Sequence, residues 1–264
     1  MSVAFYPIAL AKRVLRRFLS VETIGMMRFF SEETIGMIDY IRSPDRGAGW
    51  GPFNGQTARQ ALFVDIIVNT RPHAIVETGT FLGTTTELMS QTGLPVFTIE
   101  ADPRRYRITR ARLWRRRNIQ LIYGDSPTTL RRLFDGPLQP LSDRALFFYL
   151  DAHGNLDLPL AEEIDIIFHR CPLAVVMVDD FEVPSDAGYG YDNYGPGKGL
   201  VSGYIRPAVL AHRLGAFYPC TPSAAETGAR RGCVVLAKDA YLGPVLARIP
   251  LLHAAAEAEL KVMH

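Results

Sequence analysis

Three acidic residues stand where two apolar segments end. Asp151 closes "FFYLD", and Asp179 and Asp180 close "VVMVDD". The carboxyl ends of neighbouring strands in a parallel sheet form one crevice, so these acids are expected to converge. Clustered carboxylates repel one another unless a positive charge lies between them, and Mg²⁺ prefers oxygen ligands. The spacing predicts a magnesium site at Asp151, Asp179 and Asp180; the alternative is that one paired acid caps a turn and Asp151 faces a cofactor.

His153 follows Asp151 by two residues and is the candidate general base. Its ordinary pKa lies near neutrality, where a catalytic base works best. The alternatives are that it is a further metal ligand or packs beside a cofactor. Asp151 and His153 are therefore the predicted catalytic residues.

A glycine turn lies in "VETGTFLGTTT", residues 76–86, with Gly79 and Gly83 four residues apart. A phosphate-binding P-loop needs a lysine directly after its last glycine, but Thr84 stands there. A dinucleotide turn runs GxGxxG, whereas this turn is GxxxG. The remaining alternatives are a turn for another cofactor and a simple strand-to-helix connection.

Two glutamates indicate what such a cofactor carries. Glu100 ends the next apolar segment, 21 residues after Gly79, where an acid accepts hydrogen bonds from ribose hydroxyls. Ribose occurs in both NAD and S-adenosylmethionine, so Glu100 alone does not choose. Glu77, beside the turn, repels a pyrophosphate but suits a cofactor with an ammonium and a sulfonium.

The elements that position these residues follow a repeating pattern of strand, loop and helix from His73 onward. Five apolar segments alternate with helical ones: "HAIVET", "PVFTIEA", "IQLIYGD", "ALFFYLDAH" and "LAVVMVDDF". Such runs are typical of a parallel sheet covered on both faces. Two late strands, "AFYPCTPSA" and "GCVVLAK", predict an antiparallel hairpin at one edge. The predicted class is α/β, a Rossmann-like, doubly wound and mostly parallel sheet with a C-terminal antiparallel hairpin.

The first part of the chain differs in pattern, so we divide the chain into a helical extension, residues 1–62, and a Rossmann-like domain, residues 63–264. "FYPIALAKRVLRRFLS" has apolar residues at helical spacing and a basic face, which suits a helix packed on the main domain or one lying on a membrane surface. "SVETIGM" and "SEETIGM" form a short repeat with no functional interpretation. A further helix is predicted from about Gln56 to Asn69.

Composition excludes several classes of protein. A net charge of +2 in 264 residues gives no general attraction to nucleic acid, and the arginines of "RITRARLWRRR" surround their helix, as on a solvated surface. Three separated cysteines indicate reduced thiols. No apolar run approaches the roughly 20 residues of a membrane span, and no signal-peptide pattern is present. We expect a cytoplasmic protein.

Five segments, taken in order, carry a family resemblance. "VETGTFLGTTT", "FTIEADP", "IYGDSPTT", "FFYLDAHG" and "VVMVDDFEVP" resemble the strand-end motifs of class I S-adenosylmethionine-dependent methyltransferases. The layout is most similar to metal-dependent O-methyltransferases of the catechol and macrolide-sugar type. The resemblance implies S-adenosylmethionine and Mg²⁺ as cofactors. The cofactor-binding residues that it implies are Glu77, Gly79, Thr80 and Gly83 around the methionine part, Glu100 at the ribose, Asp125 and Ser126 at the adenine edge, and Asp151.

The same resemblance implies an enzyme that methylates a hydroxyl of a small molecule or a sugar. Catechol-type enzymes have a lysine after the acid equivalent to Asp151, and "DAHGNLD" has none, which favours the sugar type. Alternatives are an iron-dependent hydroxylase-like protein, for which only His153 is an obvious imidazole ligand, and an NAD-binding or non-catalytic adenosyl-binding protein. Nucleic-acid partners are not expected, and a homo-oligomer is left open.

The segment "SDAGYGYDNYGPGKGLVSGY" follows the fifth strand and is rich in Gly and Tyr. A loop of this length is either functional or disordered. We expect a substrate lid in which Tyr189, Tyr191 and Tyr194 stack on the acceptor and Lys198 binds an anionic group. Residues 54–56, "NGQ", are expected to face the same cavity.

Overall fold

The computed structural model describes residues 51–154 and 158–255. Its centre is an eight-stranded sheet. The strands, in chain order, are β1 (Ile75–Thr78), β2 (Val96–Glu100), β3 (Ile119–Tyr123), β4 (Leu146–Leu150), β5 (Ala174–Asp179), β6 (Leu214–Pro219), β7 (Cys233–Lys238) and β8 (Leu252–Ala254). Within the described residues, seven α-helices accompany them: α1 (Thr57–Thr70), α2 (Thr84–Ser90), α3 (Pro103–Leu113), α4 (Ser126–Phe134), α5 (Leu160–Arg170), α6 (Ser202–His212) and α7 (Gly243–Leu246).

The strands lie in the order β3-β2-β1-β4-β5-β7-β6-β8. The first five strands are parallel, whereas β7 runs antiparallel to both β5 and β6. The predicted Rossmann-like sheet and its C-terminal antiparallel hairpin are therefore confirmed. The short strand β8 adds one further antiparallel pairing, on β6.

The central strands are apolar because both of their faces are buried. Successive side chains of a strand point to opposite faces, so Phe147 and Tyr149 of β4 belong to one hydrophobic cluster, and Phe148 and Leu150 to the other. Helices α1, α2 and α7 contribute to the first cluster, and α4, α5 and α6 to the second. Covering on both faces explains the continuous apolar runs of the sequence.

The strand order reverses between β1 and β4, and in open α/β sheets ligands bind at such a switch point. Gly79, after β1, lies directly against the chain after β4. A Cβ atom on Gly79 would lie 2.2 Å from the carbonyl oxygen of Asp151, and the residue has a φ of +83°. Only glycine permits both features, so the turn brings two strand ends into contact.

Two predictions concern the N-terminal part of the chain. The helix predicted from about Gln56 to Asn69 is confirmed as α1, which runs across the proposed boundary between residues 62 and 63, so the two-part division stays a prediction. The basic amphipathic segment and the short repeat lie outside the described residues. Within residues 51–154 and 158–255, no helix combines the length and apolar character that a bilayer crossing requires.

Candidate functional site

A cavity of about 440 Å³ opens at the carboxyl ends of the parallel strands. The predicted site residues that line it are Gly79, Glu100, Asp125, Ser126, Asp151, His153 and Asp180. A smaller cavity of about 140 Å³ shares Gly79 and Asp151 with it and is also lined by Glu77, Thr80 and Asp179. The structure thus brings strand-end residues that are distant in sequence into two adjoining cavities.

Gly83 is the predicted site residue that lines neither of these two cavities. It precedes α2 with a φ of +70°. A Cβ atom there would lie 2.8 Å from Thr109 Cγ2 and 2.9 Å from Leu113 Cδ1. In this structure, Gly83 therefore allows the turn to pack on α3.

Glu77 is buried beside the glycine turn, with 1% of its surface exposed. The hydroxyls of Thr86 and Thr98 donate to its Oε2, the latter at 2.6 Å. Thr80 Oγ1 lies 2.6 Å from Thr98 Oγ1 and so belongs to the same network. Burial raises the pKa of Glu77 to about 7, although the two hydroxyl hydrogen bonds oppose that shift. Its charge thus depends on what occupies the cavity.

Glu100, at the end of β2, is held by the backbone around it. Its Oε2 accepts from Phe81 N at 2.7 Å and its Oε1 from Asp102 N at 2.8 Å. Burial raises the pKa of Glu100, against the effect of these hydrogen bonds. Each carboxylate oxygen has a further lone pair, so the group remains able to accept a hydrogen bond from a ligand.

Asp125 and Ser126 stand at the start of α4. Asp125 Oδ1 accepts from Thr128 N at 3.0 Å, as an N-cap does. That backbone hydrogen bond lowers the pKa of Asp125. Ser126 is buried as the first residue of the helix. The N-cap role fixes the loop after β3, whose residues line the larger cavity.

Asp151, His153 and Asp180 form a compact group in the same cavity. Each offers a ligand atom, and these atoms lie within 4.8 Å of one another. His153 Nε2 lies 3.4 Å from Asp151 Oδ1 and is a buried atom without a hydrogen-bond partner. Residue 180 reaches the cavity through a left-handed backbone conformation, with a φ of +50°.

The pKa values of these groups reflect crowding of negative charge. Desolvation, together with the nearby Asp179 and Asp180 carboxylates, raises the pKa of Asp151 well above its usual value. Desolvation and Asp179 raise the pKa of Asp180 to about 6. Burial alone lowers the pKa of His153, but a hydrogen bond to Asp192 and the surrounding carboxylates raise it overall. The group therefore favours an added positive charge.

The structure does not bring Asp179 into this group. Its carboxylate is 1% exposed and forms an ion pair with Arg59 of α1. Its Oδ2 also accepts from Tyr149 Oη at 2.6 Å and from Asn54 Nδ2 at 2.9 Å. Asp179 is the last residue of β5 and faces Arg59 of α1, whereas Asp180 lies in the turn after the strand, whose positive φ directs it into the cavity. The group of possible metal ligands that the structure brings together is Asp151, His153 and Asp180, without Asp179.

Three residues that the sequence interpretation missed complete the site: Arg59, Asp192 and Arg231. Arg231, which precedes β7, donates from Nε to Asp180 Oδ1 at 2.7 Å and from Nη2 to Asp192 Oδ1. Asp192 lies in the Gly- and Tyr-rich segment and lines the larger cavity. No local pattern marks these residues, because their partners lie 39 to 120 positions away.

The tyrosines of that segment differ in their environments. Tyr189 is 4% exposed, and its hydroxyl donates to Thr221 O at 2.9 Å, so it belongs to the core and does not stack on a ligand as expected. Tyr194 instead reaches His153, with 3.0 Å between Oη and Nδ1. Tyr191 is 37% exposed. Asn54 meets both paired acids, as expected for a residue facing the site.

Comparisons with known proteins give similarity at the level of three-dimensional structure. No family model matches the chain, and no curated protein matches it. Similar solved structures include the O-methyltransferase from Bacillus cereus in complex with SAH (16% identity, 86% of this chain and 96% of that chain covered, TM-score 0.48). Another is the O-methyltransferase TomG from Streptomyces achromogenes in complex with SAM (15% identity, 86% of this chain and 94% of that chain covered, TM-score 0.47). A third is DesVI from Streptomyces venezuelae (17% identity, 72% of this chain and 94% of that chain covered, TM-score 0.47).

Proposed function

We propose that this chain is a methyltransferase that uses S-adenosylmethionine to methylate a hydroxyl of a small molecule, assisted by a divalent cation, Mg²⁺ in the first instance. The observation that carries the proposal is the charge of the cavity. The acidic residues that line it are Glu100, Asp102, Asp125, Asp151, Asp180 and Asp192, against Arg105 and His153 as basic ones.

Such a lining discriminates between cofactors. A carboxylate about 4 Å from a phosphate costs roughly 4 kcal/mol at an effective dielectric constant of about 20, so a dinucleotide pyrophosphate is disfavoured. S-adenosylmethionine has no phosphate and carries an ammonium and a sulfonium. We assign its methionine part to the turn at Glu77, Gly79 and Thr80, its ribose to Glu100, and its adenine to Asp125 and Ser126.

The donor set at Asp151, His153 and Asp180 fits a divalent cation. Two carboxylates suit Mg²⁺ or Mn²⁺, and the buried Nε2 of His153 has no hydrogen-bond partner that would compete. A cation bound there would lower the pKa of the acceptor hydroxyl. An iron hydroxylase site needs two histidines and one carboxylate, and within the described residues this group has a single histidine.

The residues of the chain then act on the reaction in three ways. Methyl transfer is an in-line displacement that breaks the carbon–sulfur bond and forms the carbon–oxygen bond, so the hydroxyl must be aligned with the sulfonium methyl group. Gly79 allows the proposed methionine turn to touch the strand end that carries Asp151, so a cofactor bound at this turn would lie beside the acids. His153, through Nε2, takes the hydroxyl proton or serves as a ligand, and both roles need an unprotonated Nε2.

The acceptor is assigned to a neighbouring cavity of about 670 Å³. Its lining includes Asn193, which directly follows Asp192 of the cofactor cavity, together with Gly195, Pro196, Gly197 and Tyr204. Glycines leave room for a bulky molecule, and Tyr204 offers an aromatic face. A sugar or another polyhydroxylated molecule of that size suits this lining.

The test is a calorimetric titration of metal-stripped protein with S-adenosylhomocysteine, repeated with Mg²⁺ and run beside NAD. We expect binding of the adenosyl compound and no response to NAD. Glu100→Gln should weaken the binding at least about tenfold, as loss of a hydrogen bond to a charged group does. Glu162→Gln is the matched control, since Glu162 is an exposed residue paired with Arg131. Binding of NAD alone would refute the assignment.

A further inference from the structure

His153 is held by a chain of hydrogen-bonding groups from the Gly- and Tyr-rich segment. Its side chain is 5% exposed. Nδ1 lies 3.0 Å from Tyr194 Oη and 3.5 Å from Asp192 Oδ2. Tyr194 Oη also donates to Asp192 Oδ2. One ring nitrogen therefore faces this chain, while Nε2 faces Asp151.

Counting the protons in the hydrogen bonds that join His153, Tyr194 and Asp192 assigns the tautomer of the His153 ring. Asp192 forms an ion pair with Arg231, so its carboxylate is ionised and can only accept hydrogen bonds. The single hydroxyl proton of Tyr194 is used in the bond to that carboxylate. Tyr194 Oη must then accept from His153, which requires the proton on Nδ1. In the neutral ring, Nε2 consequently carries the lone pair.

Asp192 is itself fixed from three other places in the fold. Its backbone N–H donates to Asp180 O at 2.9 Å, directly after β5. Its backbone carbonyl accepts from Leu200 N at 2.9 Å, and Arg231, before β7, holds Oδ1. The Asp192 carboxylate, which accepts the last of these hydrogen bonds, is therefore rigid, as an orienting carboxylate must be.

We propose that Asp192 and Tyr194 are positioning residues that hold the proton of His153 on Nδ1. The Nε2 lone pair then faces the same space as the carboxylates of Asp151 and Asp180. The tautomer itself is independent of the proposed function. What Nε2 then does, as a metal ligand or as the base, rests on that function. Carboxylate partners of this kind typically set both the tautomer and the ligand strength of a histidine.

The tautomer is tested in metal-free protein by long-range ¹H–¹⁵N correlation of the histidine rings over a series of rising pH values, and it is read after the ring has lost its second proton. His153→Gln assigns the signal. We expect the Nδ1–H tautomer in the natural protein and a shift towards Nε2–H in Asp192→Asn. Tyr194→Phe, which leaves the Arg231 ion pair intact, should shift it in the same direction. Tyr191→Phe, an exposed neighbour, is the control and should change nothing. An Nε2–H tautomer in the natural protein would overturn the proposal.

Binding of Mn²⁺ alone, followed by electron paramagnetic resonance, gives the second readout. Loss of an outer partner of a ligating histidine lowers metal affinity about 10- to 100-fold, which we expect for Asp192→Asn and Tyr194→Phe but not for Tyr191→Phe. Affinity for S-adenosylhomocysteine should stay unchanged in Tyr194→Phe and Tyr191→Phe, because both variants keep every carboxylate of the cofactor cavity. If the tautomer is as proposed but the natural protein does not bind Mn²⁺, the metal part of the proposed function fails and the positioning role stands. Unchanged Mn²⁺ affinity in both variants would overturn the role of the pair in presenting Nε2.

Discussion

Replacement of Glu77 by glutamine should remove a pH dependence of stability that follows from the burial of this acid. The pKa of Glu77 is raised from 4.5 to about 7 in the folded protein. One pKa unit corresponds to about 1.4 kcal/mol, so the charged side chain lowers the free energy of unfolding by about 3 kcal/mol. The side chain is 1% exposed, so solvent screens little of this cost.

The sign follows from proton binding. Between pH 4.5 and about 7 the folded protein holds a proton on Glu77 that the unfolded chain has lost, so this contribution to stability falls as pH rises through that window. Glu77→Gln keeps an oxygen that accepts from Thr86 and Thr98 but never ionises. The variant should match the natural protein near pH 4.5 and exceed its free energy of unfolding by about 3 kcal/mol near pH 8.

The assay is urea unfolding of both proteins at a series of pH values, without cofactor. Asp151 and Asp180 have raised pKa values as well, so the difference between the two proteins is the quantity that isolates Glu77. Glu162→Gln, at an exposed site, is the control for the exchange of Glu for Gln. A difference between Glu77→Gln and the natural protein that stays constant from pH 5 to 8 would refute the reasoning. Under the proposed function, the same variant should bind S-adenosylhomocysteine more weakly, because it would lose the charge proposed to face the ammonium.

The remaining predictions concern the buried ion pair, the close approach at the turn and the metal group. Arg59→Met should lower the free energy of unfolding by about 3–5 kcal/mol, because it leaves Asp179 buried and unpaired, and Asp179→Asn in the same chain should restore part of that loss in urea titrations. Gly79→Ala should cost more stability than Gly93→Ala, since both positions have positive φ but only the first has an atom within 3 Å of the added Cβ; equal costs would contradict the close contact. Asp180→Asn should weaken Mn²⁺ binding by a larger factor than it weakens S-adenosylhomocysteine binding in calorimetry, and unchanged Mn²⁺ affinity would exclude it as a ligand.

Strand-end residues could be predicted because they are local to the elements that carry them. Apolar runs of four to six residues mark the parallel strands, and the residues that end or follow such a run lie at the carboxyl edge of the sheet. Gly79, Glu100, Asp151 and His153 lie at these strand ends or within three residues of them, and all of them line the larger cavity.

The different environments of Asp179 and Asp180 could not be predicted in this way. Two adjacent acids end β5, and the sequence pattern treats them alike. Asp179 is the last residue of the strand and points towards Arg59. Asp180 turns into the cavity through a positive φ. Which acid faces the cavity depends on the turn after the strand and on a partner 120 positions away.

The parallel sheet, its antiparallel hairpin and the acids and glycines at the strand ends could be predicted from the sequence, because burial and hydrogen-bonding periodicity are properties of short segments. Three features depend instead on the folded chain: Asp192 and Arg231 complete the site, Tyr189 is a core residue and Tyr194 reaches His153. Those outcomes depend on how distant segments pass one another at the sheet edge. Pairing between side chains far apart in sequence leaves no local pattern from which it could be inferred.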